Sequence, residues 1–180
     1  MSKTLKALAL AGVAALALAA TASAPAVHAQ DVEYTPKMVA DRMEIDDLLE
    51  RYYANFGKAE GESFSKFYAD DAEFVLGDKT YKGKEAIAGV YKGVSQSGQN
   101  PSANRFSFNV LLTNKVITLH GDKATAQMIF TEVVMDTPQG PPKFLTQGRE
   151  YDNLAKIKGH WRFTKRQVAA GTKPPEGWVN

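Results

Sequence analysis

RYYANFGKAEGESFSKFYADDAEFV, residues Arg51–Val75, together with YKGKEAI at Tyr81–Ile87, carries the pattern that decides the fold. Around its start, apolar residues recur at helical spacing: Ile45, Leu48, Leu49, Tyr52 and Phe56. Thr35-Pro36 supplies the beginning of that helix, because threonine can cap the first turn and proline is tolerated where no amide hydrogen is needed. Gly57 is placed to stop it. A short second helix is expected to hold Phe64, Phe67 and Tyr68. Asp70-Asp71 then turns the chain into a strand at Glu73–Leu76, and Gly77-Asp78 suits a two-residue hairpin turn. Tyr81-Lys82-Gly83 leads into a third helix with Ile87, Tyr91 and Val94 on one face.

Past Val94 the run SQSGQNPSAN is polar and interrupted by glycine and proline, the composition of a loop. Beyond it the pattern alternates over Arg105–Leu119, Lys123–Asp136, Lys143–Lys158 and His160–Val168, which predicts four long antiparallel strands rich in β-branched and aromatic residues. Their turns fall at His120-Gly121-Asp122, Asp136–Pro142 and Lys158-Gly159-His160. Three helices followed by this meander predict an α+β fold with the helices on one face of a strongly curved antiparallel sheet. Such a sheet, closed on one side and open at one end, encloses a central pocket. Residues 169–180, with a lone Trp178, form a tail expected to lie across the surface.

The other end of the chain is of a different kind. Lys3 and Lys6 precede an alanine-rich apolar run, Ala7–Ala20, and small residues ending in Val27-His28-Ala29, the pattern of a secretory signal. The run falls short of the roughly 18 residues a membrane span needs. Residues 1–29 are therefore expected to be cleaved near Ala29, leaving a linker at 30–37, a domain at 38–168 and the tail, in the periplasm or secreted, with no membrane attachment. The chain has 22 basic and 20 acidic residues. Two of the lysines lie in the signal, so the mature net charge is near zero and implies no nucleic-acid partner. Cysteine is absent, which excludes disulfides and thiolate chemistry.

Met43–Ile87 and the closing hairpin REYDNLAKIKGHWRF, Arg149–Phe163, resemble the SnoaL-like members of the nuclear transport factor two-like superfamily, whose shared cystatin-like cone serves isomerases, dehydratases, hydrolases and non-catalytic domains alike. The resemblance spans Met38–Val168. It implies that Tyr52 occupies the position from which family isomerases and dehydratases hydrogen-bond a carbonyl oxygen, where a buried phenol stabilises developing enolate charge. Tyr52 also continues the Ile45, Leu49 stripe, so a core role fits equally. Family isomerases carry an aspartate base at about Leu76, which this chain lacks. Their oxyanion acid falls near Asp152 or Asn153, and the histidine of the family's cyclases falls near Asn109.

From the residues themselves, Glu132 stands out as an acid in an apolar strand. If the Met128, Phe130, Glu132, Val134 face is inside, its carboxyl is desolvated, with Arg149 or Gln147 of the next strand as partners. Phe56, Tyr81, Phe106, Phe108, Asn109, Phe130, Arg149 and Tyr151 are candidates for the pocket lining. Outside the signal, His120 and His160 are the only histidines, both beside turn glycines, so no metal site and no cofactor are expected. Walker, Rossmann and nucleophile-elbow motifs are absent. Three functions follow: holding a small hydrophobic molecule; proton transfer on a small carbonyl compound with Tyr52, Glu132 and Asp152 as catalytic residues; or pairing through the open sheet face as a homodimer. Expression of the whole chain in a Gram-negative host, with N-terminal sequencing of the periplasmic fraction, is expected to read Gln30 first. An intact Met1 in the cytoplasm contradicts export.

Overall fold

The computed structural model describes residues 32–54, 56, 64–96, 105–169, 174–176 and 178. The chain divides into two units, Met1–Glu33 and Tyr34–Asn180, and the elements all fall in the second. They run α1 (Pro36–Ala54), β1 (Tyr68–Leu76), β2 (Lys79–Lys82), α2 (Lys84–Gln96), β3 (Ser107–His120), β4 (Lys123–Met135), β5 (Lys143–Ile157) and β6 (His160–Ala169). The expected signal segment, the helix stop at Gly57 and most of the SQSGQNPSAN loop lie outside the described residues, as does the side chain of Val94.

Thr35 caps α1 as expected, its hydroxyl accepting from the Met38 amide at 3.2 Å. Asp41, Ile45, Leu48, Leu49, Tyr52 and Tyr53 then form the helix's buried face. Two helices, not three, stand among the described residues. Of the expected middle helix, Phe64 and Ser65 are helical and a turn follows at Lys66-Phe67, its earlier residues lying outside the described set. Tyr68 begins β1 rather than ending a helix, and Asp70-Asp71 sits inside that strand. The register of β1 on β6 slips between Tyr68 and Glu73, so the two aspartates occupy an irregularity within the strand rather than a turn.

The six strands form one open sheet in the order β2-β1-β6-β5-β4-β3. Its pairs are antiparallel except β1 on β6, which is parallel, a departure from the expected all-antiparallel sheet. The parallel pair arises because α2 and its following segment carry the chain from the β1–β2 hairpin to the far edge at β3, and the meander returns to lay β6 beside β1. Lys158 (φ 50°) and Gly159 (φ 81°) build the tight turn between β5 and β6, where a right-handed sheet twist requires two successive left-handed residues.

Both helices cover one face of the sheet. Rows of directly opposed residues show which side chains share that inner face: Phe108–Val134, Val110–Glu132 and Leu112–Phe130 between β3 and β4, Met128–Glu150 and Ala126–Asp152 between β4 and β5, and Glu150–Val168 and Asp152–Arg166 between β5 and β6. The alternate residues, among them Asn109, Thr131, Arg149, Tyr151 and Lys165, point outward.

Asp41 fastens α1 to the β5–β6 hairpin. Its buried carboxylate accepts from Lys37 Nζ and Lys156 Nζ, each at 2.7 Å, and from Trp161 Nε1 at 3.2 Å. Burial pushes this pKa up, but the hydrogen bonds from Lys156, Lys37 and Trp161 outweigh it and bring it from 3.8 down to about 2. A carboxyl whose folded pKa is depressed stabilises the fold above its unfolded value and loses that contribution as pH falls. Asp41→Ala is therefore expected to destabilise by about 1–3 kcal/mol at pH 7, since it strands a buried indole N–H. In urea titrations the gap from wild type should close between pH 3.8 and about 2. A gap independent of pH contradicts the ion-pair account.

Candidate functional site

At the middle of the inner face, α1 crosses β5 and β6 and brings together a group of buried polar side chains. Arg166, fully buried, donates from Nη2 to Glu150 Oε2, and Tyr53 Oη donates to the other oxygen of the same carboxyl. The guanidinium carbon lies 3.9 Å from the centre of the Tyr52 ring and 4.5 Å from that of Phe163. A desolvated cation between π-faces is held there by the ring quadrupoles as well as by its carboxylate. Asp152, also fully buried, has Oδ1 only 3.3 Å from Arg166 Nε. That pair is misaligned for hydrogen bonding, and among the described residues neither Asp152 oxygen nor Arg166 Nε and Nη1 has a hydrogen-bond partner.

One guanidinium faces two carboxyls, and its hydrogen bond goes to Glu150. Burial pushes the Asp152 pKa well up, Arg166 opposing and Glu150 adding to the rise, so burial favours the form of Asp152 that carries a proton. Alongside lie three phenols in a chain. Tyr91 Oη hydrogen-bonds Tyr52 Oη and lies 3.0 Å from Tyr68 Oη. Burial raises all three pKa values, keeping the phenols neutral. Around them Phe64 stacks on Tyr91 with centroids 4.5 Å apart, and Phe56 stacks on Phe108 at 6.0 Å, forming an aromatic wall over the polar group.

The structure thus brings Tyr52 and Asp152 into one cluster with Arg166 between them. The side chain of Asp152 faces the inner cluster, not the solvent-facing lysine partner that is the commoner fate of a strand aspartate. Phe56, Tyr81 and Phe130 lie against the inner core, and Phe108 is buried beside Phe56. Glu132 shares their face, half-buried, and burial raises its pKa. It stands apart from Asp152: the residue opposite Asp152 is Ala126, six positions along β4 from Glu132, about 20 Å at about 3.3 Å per residue.

The remaining lining candidates lie away from the inner face. Phe106 precedes β3 and is 57 % exposed. Asn109 opposes Val133 on the outer face and is exposed. Arg149 opposes Ile129 and Gln147 opposes Thr131, both on the outer face, so neither can partner Glu132; Gln147 instead donates to the Thr131 hydroxyl at 2.9 Å. Tyr151 is buried, but on the outer face, against Trp178 of the tail with ring centroids 5.1 Å apart. Arg166, Glu150, Tyr53, Tyr68 and Tyr91 were not among the candidates read from sequence. Among the described residues no group of three acids or histidines could hold a metal ion, and no helix is long and apolar enough to cross a membrane.

Phe130 lies on the inner face over Gly148, its cross-strand partner. A β-carbon at residue 148 would meet two Phe130 ring atoms at 2.5 Å. Gly148→Ala is therefore expected to displace the ring and destabilise by about 1–3 kcal/mol, as overpacking of a filled core does. Restoration by Gly148→Ala with Phe130→Leu in thermal melts checks the contact; a double variant no better than the single contradicts it.

Residues 37–167 match a family model described as a SnoaL-like domain. Among solved structures, a nuclear transport factor two-like protein with a cystatin-like fold from Novosphingobium aromaticivorans is similar at TM-score 0.62 and 24% identity, covering 73% of this chain and 82% of that one. Two further proteins of that organism, one provisionally named a scytalone dehydratase and one an aromatic ring hydroxylase, have TM-scores of 0.58 and 0.57 at 15% and 21% identity, covering 79% and 72% of this chain and 97% and 88% of theirs. At these identities the likeness is one of fold. No curated protein matches the chain.

Proposed function

We propose, for a chain that belongs to the SnoaL-like domain family, that the inner face of the sheet holds a small, largely apolar molecule by one polar oxygen. The observation that carries this reading is the Asp152–Arg166 pair, whose hydrogen-bonding capacity is unmet beneath the aromatic wall. Each buried polar group left unpaired costs about 1–3 kcal/mol, so a carbonyl or hydroxyl oxygen accepting from Asp152 O–H and Arg166 Nη1 gains what the protein alone forgoes. Phe56, Phe108 and Phe130 supply apolar surface for the rest of the molecule. Residence in the periplasm or outside the cell, after cleavage near Ala29, belongs to the same proposal.

The catalytic alternative, isomerisation or dehydration of a small carbonyl compound, is favoured by the Tyr52–Tyr91–Tyr68 chain, in which two further phenols can share charge developing at the Tyr52 hydroxyl. It lacks a base among the described residues: burial disfavours the charged form of Asp152, and Glu132 lies too far along β4 to act on the same few atoms. The name scytalone dehydratase belongs to a neighbour similar in fold. Pairing of two copies is supported by an apolar strip on the outer face at the β3–β4–β5 end, where Phe144 is 82 % and Leu111 49 % exposed.

Native mass spectrometry of the protein purified gently from its own host tests these readings together. The expected spectrum is a dimer mass with a small adduct that leaves on denaturation. Asp152→Leu, which keeps Arg166 paired with Glu150, is expected to fold and to lose the adduct by about tenfold or more, the loss of one good hydrogen bond. An adduct held equally by Asp152→Leu, or an empty wild type that turns over a carbonyl compound, contradicts the binding reading.

A further inference from the structure

We infer a second small-molecule site, on the outer face of the sheet, that takes a neutral saccharide. Three cross-strand neighbours, Thr125, Asn153 and Lys165, form one row of that face, and Tyr151 and Gln167 form the next. Above them the tail contributes Glu176 and Trp178, enclosing a cavity of about 290 Å³. A second cavity of about 510 Å³ continues from it past Thr125, Asn153 and His120, which line both. Together they make an elongated cleft, aromatic at the Trp178 end, polar along Thr125, Asn153 and Lys165, and more apolar at the far end past Ala124, Leu154 and Ala155, within the size range of small-ligand sites, about 300–1,000 Å³.

The chemistry of the lining selects the ligand. The threonine hydroxyl and the two side-chain amides each donate and accept, which matches the paired donor and acceptor character of sugar hydroxyls. An apolar molecule would leave these groups unpaired. An anion would meet Lys165 and, in the adjoining cavity, the exposed Lys123, but beside the aromatic end it would also meet the Glu176 carboxylate in the same wall as Lys165. Trp178, set at 67° to Tyr151, supplies a ring wall; the C–H face of a pyranose is electropositive and packs against the negative face of an aromatic ring. The two contiguous cavities fit a ligand longer than one ring.

This site shares no side chain with the inner one. Period-two alternation sends Thr125, Asn153 and Lys165 away from Asp152 and Arg166, so either site can fail without the other. It is also separate from the apolar strip: Thr125 and Val133 are eight positions apart on β4, about 26 Å.

The test is a two-dimensional amide NMR titration of the full chain with cellobiose, maltose and N,N′-diacetylchitobiose, with benzoate as the anionic comparison. At least one disaccharide is expected to shift the Asn153 and Gln167 side-chain amides and the Trp178 indole saturably, with a dissociation constant in the millimolar range or tighter, and Asn153→Ala or Trp178→Ala should weaken it about tenfold. The inference is overturned by no saturable shift with any of the three up to about 50 mM. It is overturned as well by a response to benzoate alone, or by shifts confined to Glu132, Tyr53 and their neighbours on the inner face. If the variants do not fold, the map of shifts in the wild type decides by itself.

Discussion

A single buried cation organises the interior of this domain. Arg166 is removed entirely from water, and a desolvated guanidinium survives only where hydrogen bonds and opposite charge surround it. Glu150 on the neighbouring strand answers the charge, Tyr53 from α1 secures Glu150, and Tyr52 and Phe163 lay their rings against the guanidinium. The helix and two strands are thereby held in one relative position by groups that tolerate little displacement. Asp152 is the remainder of this arrangement. The cation's hydrogen bond goes elsewhere, burial favours the neutral form of Asp152 and its oxygens stay unpaired, and the proposed small-molecule reading rests on this leftover capacity.

The outer end of α1 is fixed by a second device of opposite character. Asp41 is ionised, and its partners Lys37 and Lys156 reach it from the rim, where water also reaches them. One carboxyl is thus driven down by its cations and the other driven up by burial beside a cation already engaged. The difference follows from where each sits on the sheet, at the wet end or at the centre.

Much of this fold was legible in the sequence. The helical stripe from Ile45 to Tyr52, the Thr35-Pro36 start and the glycine turns each have a local cause, and local causes can be read from neighbouring residues. Which face of each strand lies inside was not legible, because Met128–Met135 is apolar on both sides. Tyr151 therefore read as a pocket residue although it lies outward beneath Trp178, and Arg149 read as a partner for Glu132 although it points the other way. Arg166 was hidden by a single extra residue. Counting by twos from Trp161 and Phe163 puts Lys165 inside, but the register slips so that Phe163 opposes Leu154 while Lys165 opposes Asn153. Thr164 is the bulged residue, parity reverses after it, and Arg166 turns inward. Nothing in HWRFTKRQV announces that slip. The chain had to be seen paired with β5.

The family resemblance pointed to Asp152 and Tyr52 without the residue that joins them. The measurement that tests the account most directly is the protonation state of Asp152 itself, followed by carboxyl carbon-13 NMR across pH in selectively labelled protein. The account predicts a side-chain carboxyl resonance that stays in its protonated position at pH 7 and moves downfield when Arg166 is replaced by lysine in a chain that still folds, since lysine lacks the Nη2 contact with Glu150 and turns its charge toward Asp152. A resonance already ionised at pH 7 in the wild type would contradict it, because Asp152 would then be the cation's own partner and would hold no proton to offer a ligand.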